Sequence, residues 1–361
     1  MLKKELDITV TKAAEDQRKK KPDPTKLGFG VHFTDHMFVM HWNRERGWHN
    51  AEICPYRNFS LDPAAMVFHY GQEIFEGLKA YRGENNEVLL FRPQANLKRM
   101  NDSALRMCMP RFSMDEVLKA MKALVYLDRE WVPASEGSSL YLRPTMIASE
   151  AAIGLRAAEE YIFYIIMCPV GSYYAGGAEP VNIYVEDTYI RAAPGGVGEA
   201  KTGGNYAASL MAQTAAKKKG YAQILWLDAI ERKYVEEVGT SNIFFVIGDE
   251  LITSPLTGSI LPGITRDSVL QLARDRGVKA VERRLTIDEV YAAHDAGTLK
   301  ESFGTGTAAV ISPVGELCYK DRIISINGGK IGALSAMFLT ELQALQRGQR
   351  EDRHNWLVRV A

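Results

Sequence analysis

A lysine between two pairs of glycines, Lys201, is the residue of this chain with the widest choice of chemistry. It lies within residues 195–206, which read Gly-Gly-Val-Gly-Glu-Ala-Lys-Thr-Gly-Gly-Asn-Tyr. Glycines allow backbone turns that other residues resist, and they allow a ligand to approach closely. A lysine in such a place is a phosphate ligand, a nucleophile that forms a Schiff base, or an ordinary surface charge.

The stretch comes close to a nucleotide-binding P-loop. That motif needs a glycine, four residues, and then Gly-Lys-Ser/Thr. Here Ala200 stands where the second glycine belongs, and Gly203 and Gly204 interrupt the helix that should begin at the lysine. Glycine costs about 1 kcal/mol in a helix interior. A P-loop is therefore disfavoured, while the Schiff-base lysine and the surface lysine both stay open.

Composition and charge narrow the class of protein. A chain of 361 residues is too long for one ordinary core, so two domains are predicted. Hydrophobic residues make up 46% and charged residues 24%, as in globular proteins. Lys+Arg and Asp+Glu both number 44, which gives no electrostatic basis for a nucleic-acid or membrane partner. The N-terminus has no apolar signal core, so we expect a cytoplasmic protein.

The cysteines give no sign of a metal centre. Cys54, Cys108, Cys168 and Cys318 are widely separated, and the sequence has no Cys-x-x-Cys pair and no histidine cluster at metal-ligand spacing. We expect four reduced, buried thiols and no metal site.

The elements that must position Lys201 alternate between strand and helix patterns. Residues 1–28 form a polar arm that we expect to be loosely held. Residues 169–180 are rich in glycine and proline and mark a domain boundary. The hydrophobic patterns predict helices over 94–109, 113–131, 205–219, 265–276 and 332–346, and strands over 139–148, 161–168, 181–185, 223–228 and 242–247.

Two turns are suited to binding an anion. Residues 261–267 open a helix with Thr265 as the predicted N-cap, and a helix N-terminus attracts negative charge. Residues 302–309 read as a turn of small residues. Arg99 lies on the flank of a helical pattern, where a lone arginine is usually solvated. Two such turns and an arginine could nevertheless hold one phosphate, and pyridoxal phosphate needs a phosphate site together with a Schiff-base lysine.

The chain closely resembles the branched-chain amino-acid aminotransferases, which are fold-type IV pyridoxal-phosphate enzymes, over nearly its whole length. The matching segments are Gly-Gly-Asn-Tyr after Lys201, Glu-Val-Gly-Thr-Ser-Asn at 237–242, Leu-Pro-Gly-Ile-Thr-Arg at 261–266, Gly-Thr-Gly-Thr-Ala-Ala at 304–309, Phe-Glu-Gly at 75–77 and Tyr-Leu-Arg at 141–143. Together they are specific. The resemblance implies a two-domain α/β (α+β) fold with the active site between the domains. Its parts are a smaller N-terminal domain (1–170), an interdomain loop (171–182) and a larger C-terminal domain (183–361) that carries the lysine.

The resemblance also implies the residues that hold pyridoxal 5′-phosphate. Lys201 forms the Schiff base and moves the proton during transfer. Glu237 pairs with the pyridine nitrogen, since a carboxylate keeps that nitrogen protonated and the protonated ring is a strong electron sink. Tyr206 binds the phenolic oxygen of the ring. The other implied cofactor residues are Arg99, Thr240, Ile264, Thr265 and Thr307, with the phosphate on Arg99, Ile264, Thr265 and Thr307.

The substrate pocket must accept apolar branched side chains and also the second carboxylate of glutamate. The implied substrate residues are Phe29, Tyr70, Phe75, Tyr141, Arg143, Tyr173, Thr240, Thr307 and Ala308. Arg143 and tyrosine hydroxyls would bind the side-chain carboxylate of glutamate. The backbone N–H groups of Thr307 and Ala308 would face the α-carboxylate.

The resemblance therefore implies a homodimeric transaminase for leucine, isoleucine and valine with 2-oxoglutarate, working by a ping-pong scheme on small-molecule amino acids and 2-oxo acids. The alternatives within the fold are a D-amino-acid aminotransferase and an aminodeoxychorismate-lyase-like enzyme. Three features favour the branched-chain type: the Tyr-Leu-Arg segment at 141–143, the aromatic residues implied for the substrate pocket, and the length of the N-terminal extension. A P-loop-like nucleotide binder is the alternative outside the fold. A catalytically silent binding protein is disfavoured because every chemistry-bearing position is filled.

Overall fold

Two nine-stranded β-sheets organise the computed structural model of the chain, which describes residues 6–171 and 179–360. The described residues form two compact units, one of residues up to 171 with 200–203 and 344–360, the other of 179–199 and 204–343. Lys201 thus belongs with the N-terminal unit, whereas the sequence assigned it to residues 183–361. The domain limits drawn from the sequence stay a prediction.

The elements are numbered in chain order. The strands are β1 Ile8–Val10, β2 His36–Asn43, β3 Gly47–Pro55, β4 Glu73–Phe75, β5 Leu78–Arg82, β6 Val88–Phe91, β7 Ser139–Ala148, β8 Glu160–Val170, β9 Val181–Glu186, β10 Gln223–Leu227, β11 Val235–Val238, β12 Ser241–Ile247, β13 Glu250–Thr253, β14 Lys279–Glu282, β15 Leu299–Gly306, β16 Val310–Tyr319, β17 Arg322–Ser325 and β18 Leu357–Arg359. The α-helices are α1 Met66–Tyr70, α2 Pro93–Arg106, α3 Met114–Leu127, α4 Gly203–Ala208, α5 Leu210–Lys218, α6 Ile264–Asp275, α7 Ile287–Asp295 and α8 Ala333–Gln346.

The sheet of the first unit runs in the order β1-β3-β2-β8-β7-β5-β6-β18, with β4 also paired to β7. Strand β7 pairs with β4, β5 and β8, so it fixes the register of three neighbours. Leu140 and Leu142 on β7 are fully buried in the core. The sequence pattern of α2 predicts an apolar stripe of Leu97, Met100, Ala104 and Leu105. The first three are buried, whereas Leu105 is exposed.

The sheet of the second unit runs in the order β11-β10-β9-β16-β15-β12-β13-β14, with β17 beside β16. Strands β11 and β12 form a hairpin whose turn includes Gly239 at φ +55°. A side chain there is disfavoured by the left-handed backbone, and a Cβ would overlap the Gln223 side chain. The hairpin places Glu237 directly opposite Asn242.

The polar N-terminal arm is anchored, which corrects the expectation of a loosely held segment. Strand β1 pairs in parallel with β3, and Ile8 lies opposite Ala51. The Ala13 N–H donates to His36 Nε2 at 2.8 Å, and Lys19 Nζ donates to the Thr34 carbonyl at 2.8 Å. These contacts involve backbone groups, the His36 ring and a lysine amine, so an apolar pattern does not reveal them.

Three local predictions also need correction. Helix α6 begins at Ile264 with Gly263 as its N-cap, so Thr265 is not the cap and lies buried in the first turn. Residues 302–306 belong to strand β15, which leaves residues 307–309 as the turn. The predicted helix over 205–219 is divided into α4 and α5. By contrast, the sequence spacings Ser113-x-x-Glu116 and Thr286-x-x-Glu289 predict capping boxes, and the Ser113 and Thr286 hydroxyls do accept the N–H groups of the two glutamates.

The cysteine prediction holds for three of four thiols. Cys54, Cys168 and Cys318 are buried free cysteines, whereas Cys108 is exposed just beyond α2. Among the described residues, no helix has both the length and the apolar character that a membrane crossing requires.

Candidate active site

Lys201 is held in the first unit by its own backbone. Its N–H donates to Ser103 Oγ at 2.9 Å, and its carbonyl accepts the Phe75 N–H at 3.0 Å. The next residue, Thr202, donates its hydroxyl to the Glu73 carbonyl at 2.7 Å. The Lys201 amine lies 4.9 Å from the centroid of the Phe75 ring. The lysine is therefore fixed between strand β4 and helix α2.

The electrostatic environment makes the Lys201 amine easier to deprotonate. Burial lowers the pKa of Lys201 to about 8, Arg99 lowers it further and Glu76 opposes the shift. A lysine with such a pKa is unprotonated often enough near neutral pH to act as a nucleophile. Lys79 on β5 also has its pKa lowered to about 8 by burial, so the pKa alone does not single out Lys201.

Arg99 forms a buried ion pair with Glu76. Arg99 Nε lies 2.7 Å from Glu76 Oε1, and Arg99 Nη2 donates to Oε2 at 2.9 Å. Asn96 Nδ2 and the Gly77 N–H also donate to Oε2, at 2.8 and 3.1 Å. Burial on its own raises the pKa of Glu76, but Arg99, Lys201 and Asn96 bring it below the usual value. Arg99 is thus a buried, paired cation and not a solvated one.

Four of the predicted substrate residues lie together in the first unit. The rings of Phe29 and Tyr141 meet edge to face with centroids 5.0 Å apart. Arg143 Nη2 donates to the Tyr141 hydroxyl at 3.0 Å, and the Arg143 guanidinium carbon lies 4.7 Å from the Phe75 ring centroid. Gly77 lies against this cluster, because a Cβ there would overlap the Tyr141 hydroxyl. The cluster combines an apolar wall with one cation.

The other two predicted substrate aromatics differ. Tyr70, at the end of α1, donates its hydroxyl to the Ile153 carbonyl. Tyr173 lies outside the described residues.

In the second unit, Glu237 on β11 is surrounded by donors. Arg191 Nε lies 2.5 Å from Glu237 Oε2, and Asn242 Nδ2 donates to Oε1 at 2.9 Å. Asn242 Nδ2 also lies 2.9 Å from the Leu261 carbonyl. Gly263 packs so closely on Asn242 that a Cβ would overlap its side-chain oxygen. Asn242 therefore connects the carboxylate to the turn before α6.

The predicted phosphate residues of this unit lie at ends of elements. Ile264 and Thr265 are the first two residues of α6, where backbone N–H groups and the helix dipole favour an anion. Thr307 and Ala308 lie in the turn between β15 and β16. Val310, just past the turn, has φ +63°, a strained conformation for a β-branched residue.

The remaining predicted residues of this unit, Thr240 and Tyr206, are not fully buried. Thr240 is exposed in the β11–β12 turn, and Tyr206 is half-buried in α4. Thr305 lies opposite Asn242 in the β12–β15 register, and its buried hydroxyl has no hydrogen-bond partner among the described residues. A buried hydroxyl in this state is suited to an added polar partner. The binding roles assigned to all these residues stay predictions.

Three supporting residues were not predicted from the sequence. Glu76 lies inside the matching Phe-Glu-Gly segment, which was a usable signal. Ser103 follows Arg99 by one helical turn, which is a weaker sequence signal. Arg191 lies in no motif and has no sequence signal.

Residues 73–317 match the model of the family described as amino-transferase class IV, and the chain belongs to this family. Branched-chain-amino-acid aminotransferase 2 of Bacillus subtilis (strain 168) is 51% identical over 356 residues, which are 99% of this chain and 96% of that protein. The branched-chain amino acid aminotransferase structure from Escherichia coli superposes with a TM-score of 0.77 at 28% identity, covering 91% of this chain and 99% of that one. The T.th. branched-chain amino acid aminotransferase complexed with N-(5′-phosphopyridoxyl)-L-glutamate gives a TM-score of 0.71 at 26% identity, with coverages of 89% and 98%. The predicted family and fold class are confirmed.

Proposed function

We propose that this chain is a transaminase that exchanges the amino group between leucine, isoleucine or valine and 2-oxoglutarate, with pyridoxal phosphate as cofactor. The products are the branched 2-oxo acids and L-glutamate, and the reaction runs in both directions. The observation that carries the proposal is the 51% identity along 99% of the chain to a protein named branched-chain-amino-acid aminotransferase.

The residues present fit pyridoxal phosphate. The set comprises an amine of lowered pKa at Lys201, a buried guanidinium at Arg99, a buried carboxylate at Glu237 and an available hydroxyl at Thr305. These groups complement an aldehyde, a phosphate and a protonated pyridine nitrogen. When bound, the cofactor supplies an electron sink for the negative charge that develops on the substrate α-carbon.

We assign each holding role to a particular side chain. Lys201 would attach to the aldehyde through its amine, Glu237 would pair with the ring nitrogen and Tyr206 with the phenolic oxygen. The residues that would hold the phosphate and flank the ring are Arg99, Thr240, Ile264, Thr265 and Thr307. A helix N-terminus and an arginine together suit a dianionic group.

Lys201 would also move the proton of the reaction. The Lys201 amine would take the proton from the substrate α-carbon and later return one. General acid–base catalysis works best when the pKa of the group lies near the working pH. The lowered pKa of Lys201, about 8, meets that condition for both directions of transfer.

The first-unit cluster explains how one pocket can take two kinds of side chain. Phe29, Phe75 and Tyr141 offer an apolar wall for branched chains, as Tyr70 and Tyr173 would. Arg143 is half-buried, so it can pair with the second carboxylate of glutamate without leaving either charge fully desolvated. The α-carboxylate common to all substrates would bind the N–H groups of Thr307 and Ala308.

The test is a substrate panel on purified protein loaded with pyridoxal phosphate. L-Glutamate is the amino donor, and the acceptors are the 2-oxo acids of leucine, isoleucine, valine and alanine. A parallel experiment replaces L-glutamate with D-alanine as the donor. Branched acceptors should react fastest. Faster reaction with D-alanine, or no transfer to branched acceptors, would overturn the proposal.

Borohydride reduction of the loaded protein then locates the attachment. Peptide mapping should find the cofactor on Lys201 and not on Lys79, the matched lysine whose pKa is also about 8. A label on Lys79 would contradict the assignment.

We also propose a homodimer, on the strength of the family resemblance. Phe68, Ile153 and Leu155 are 62%, 70% and 84% exposed in the single chain, and large apolar side chains of this kind are typical of a surface that a partner covers. Light scattering during gel filtration should give twice the chain mass of 40.3 kDa. The cytoplasmic location stays a prediction.

A further inference from the structure

A buried arginine with no assigned role, Arg191, contacts the carboxylate of Glu237. The Arg191 and Glu237 side chains are 7% and 3% exposed, and Nε lies 2.5 Å from Oε2. Asn242 binds the other oxygen, Oε1. Each carboxylate oxygen therefore has a nitrogen in contact with it, and these contacts fix the orientation of the group.

Arg191 is itself fixed by backbone carbonyls. Its Nη1 donates to the Ser259 carbonyl at 2.7 Å, and Nη1 and Nη2 lie 3.4 and 3.3 Å from the Gly198 carbonyl. Gly198 packs directly on this point, because a Cβ there would overlap the Ser259 carbonyl. A planar guanidinium held at all three nitrogens presents Nε in one direction.

The neighbouring carboxyl, Glu236, has a different hydrogen-bond partner. Successive side chains of a strand point to opposite faces, so Glu236 and Glu237 leave β11 on different sides. Glu236 Oε1 accepts the Ser259 hydroxyl at 2.5 Å, and burial raises the pKa of Glu236 although Arg191 and Arg284 oppose the shift. The direct ion-pair contact of Arg191 is with Glu237, at 2.5 Å between Nε and Oε2.

We propose that Arg191 is a positioning residue that keeps Glu237 ionised and aimed at the pyridine nitrogen of the cofactor. The inference rests on the proposed function. A permanently charged guanidinium favours the ionised form of an adjacent carboxylate. An ionised carboxylate has about four acceptor sites on its two oxygens, so the contacts with Arg191 and Asn242 leave room for the ring N–H.

The test compares two ligands for the cofactor-free protein. Pyridoxal phosphate can bond Glu237 through its ring nitrogen, whereas its 1-deaza analogue has a C–H group at that position and keeps the aldehyde and phosphate. Absorbance titration gives both dissociation constants. In Arg191→Lys and Arg191→Gln, the preference for pyridoxal phosphate over the analogue should fall by about tenfold or more. Binding of the analogue should change by less than about threefold.

The matched control is Arg276→Lys, which alters another arginine–carboxylate pair of the same unit, with Glu341 at 3.0–3.1 Å. It should leave the ligand preference unchanged. Glu237→Gln should remove the preference, and adding Arg191→Lys to it should cause no further loss, since both changes act through one contact. Thermal unfolding of each variant shows whether it is folded. If Arg191→Gln does not fold, Arg191→Lys alone carries the test.

Equal weakening of both ligands in Arg191→Lys would mean a merely structural role and would overturn the inference. An unchanged preference would overturn it as well. A wild-type protein that neither binds pyridoxal phosphate nor transfers amino groups would instead refute the proposed function, so the two failures are distinguishable.

Discussion

Each of the two units buries an arginine–carboxylate pair. In one pair the arginine is the predicted cofactor ligand and the carboxylate supports it, and in the other pair these roles are exchanged. In the first unit Arg99 is the predicted ligand and Glu76 supports it; the two are 7% and 0% exposed. In the second unit Glu237 is the predicted ligand and Arg191 supports it. Arg99 and Glu237 have opposite charges because their proposed targets do: a phosphate is anionic and a protonated pyridine is cationic.

The comparison explains why each support residue has the charge it has. Removing one partner of a buried ion pair leaves an uncompensated charge in a poorly solvated place, which costs about 3–5 kcal/mol. A buried charge that binds a ligand thus requires a counter-charge that remains when the ligand leaves. Glu76 and Arg191 meet this requirement in opposite senses.

The largest effect on activity should follow substitution of Glu237, the predicted cofactor ligand in the second unit. Glu237→Gln keeps the shape of the side chain and removes its charge, so under the proposed role of Glu237 the ring nitrogen would lose the group that keeps it protonated. We expect kcat/KM for leucine to fall by about 10²–10⁴-fold, with the cofactor still bound. Glu341→Gln, which changes the carboxylate partner of Arg276, is the control and should stay within about twofold of wild type. A decrease of less than about tenfold in Glu237→Gln would contradict the reversed-role comparison.

Substitution of Glu76, which supports Arg99 in the first unit, should mainly lower the stability of the protein. Glu76→Gln leaves Arg99 buried without its counter-charge, so the free energy of unfolding should fall by about 3–5 kcal/mol in urea titrations of the cofactor-free protein. Glu150→Gln removes the partner of Arg156, whose side chain is 48% exposed, and should cost less than about 1 kcal/mol. Similar losses in the two variants would show that the Glu76–Arg99 pair contributes no more than a surface pair.

A third arginine, Arg143, sharpens the comparison because it lies against the aromatic rings of Phe75 and Tyr141. Arg143→Ala should lower kcat/KM for glutamate and 2-oxoglutarate by about 10–100-fold more than for leucine, since a bond to a charged group contributes about 1.5–3 kcal/mol. Steady-state kinetics with each substrate measures the ratio. Arg44→Ala, at a side chain that is 79% exposed, is the control. Equal loss for both substrates would remove Arg143 from the specificity pocket.

The sequence predicts the local parts of this arrangement well and the long-range parts poorly. The buried stripe of α2 and the caps at Ser113 and Thr286 follow from spacing over a few residues. The support pairs do not, because each joins distant positions: Arg99 and Glu76 are 23 residues apart, and Lys201 and Ser103 are 98 apart. Arg191 is the extreme case. Its role depends on where β11 and the turn at Ser259 meet in the fold, and no local pattern encodes that.

The smallest predicted effect concerns the stability cost of Lys201 itself. Its folded pKa of about 8 lies below the ordinary lysine value of 10.5. Between these two values the unfolded chain binds more protons, so this residue makes stability rise with pH across that window, and below about pH 8 its full cost is present. The shift sets a ceiling of about 3 kcal/mol.

Lys201→Met should therefore stabilise the cofactor-free protein by about 1–2 kcal/mol at pH 7, and the gain should shrink as the pH approaches the ordinary lysine pKa. Urea unfolding at several pH values measures this, with Lys98→Met, at a lysine that is 71% exposed, as the control without a pH-dependent gain. A gain independent of pH would mean that apolar packing, and not the buried charge, separates the variant from the wild type. A gain that vanishes as predicted would show that Lys201 is kept at a cost to stability, as residues placed for reactivity often are.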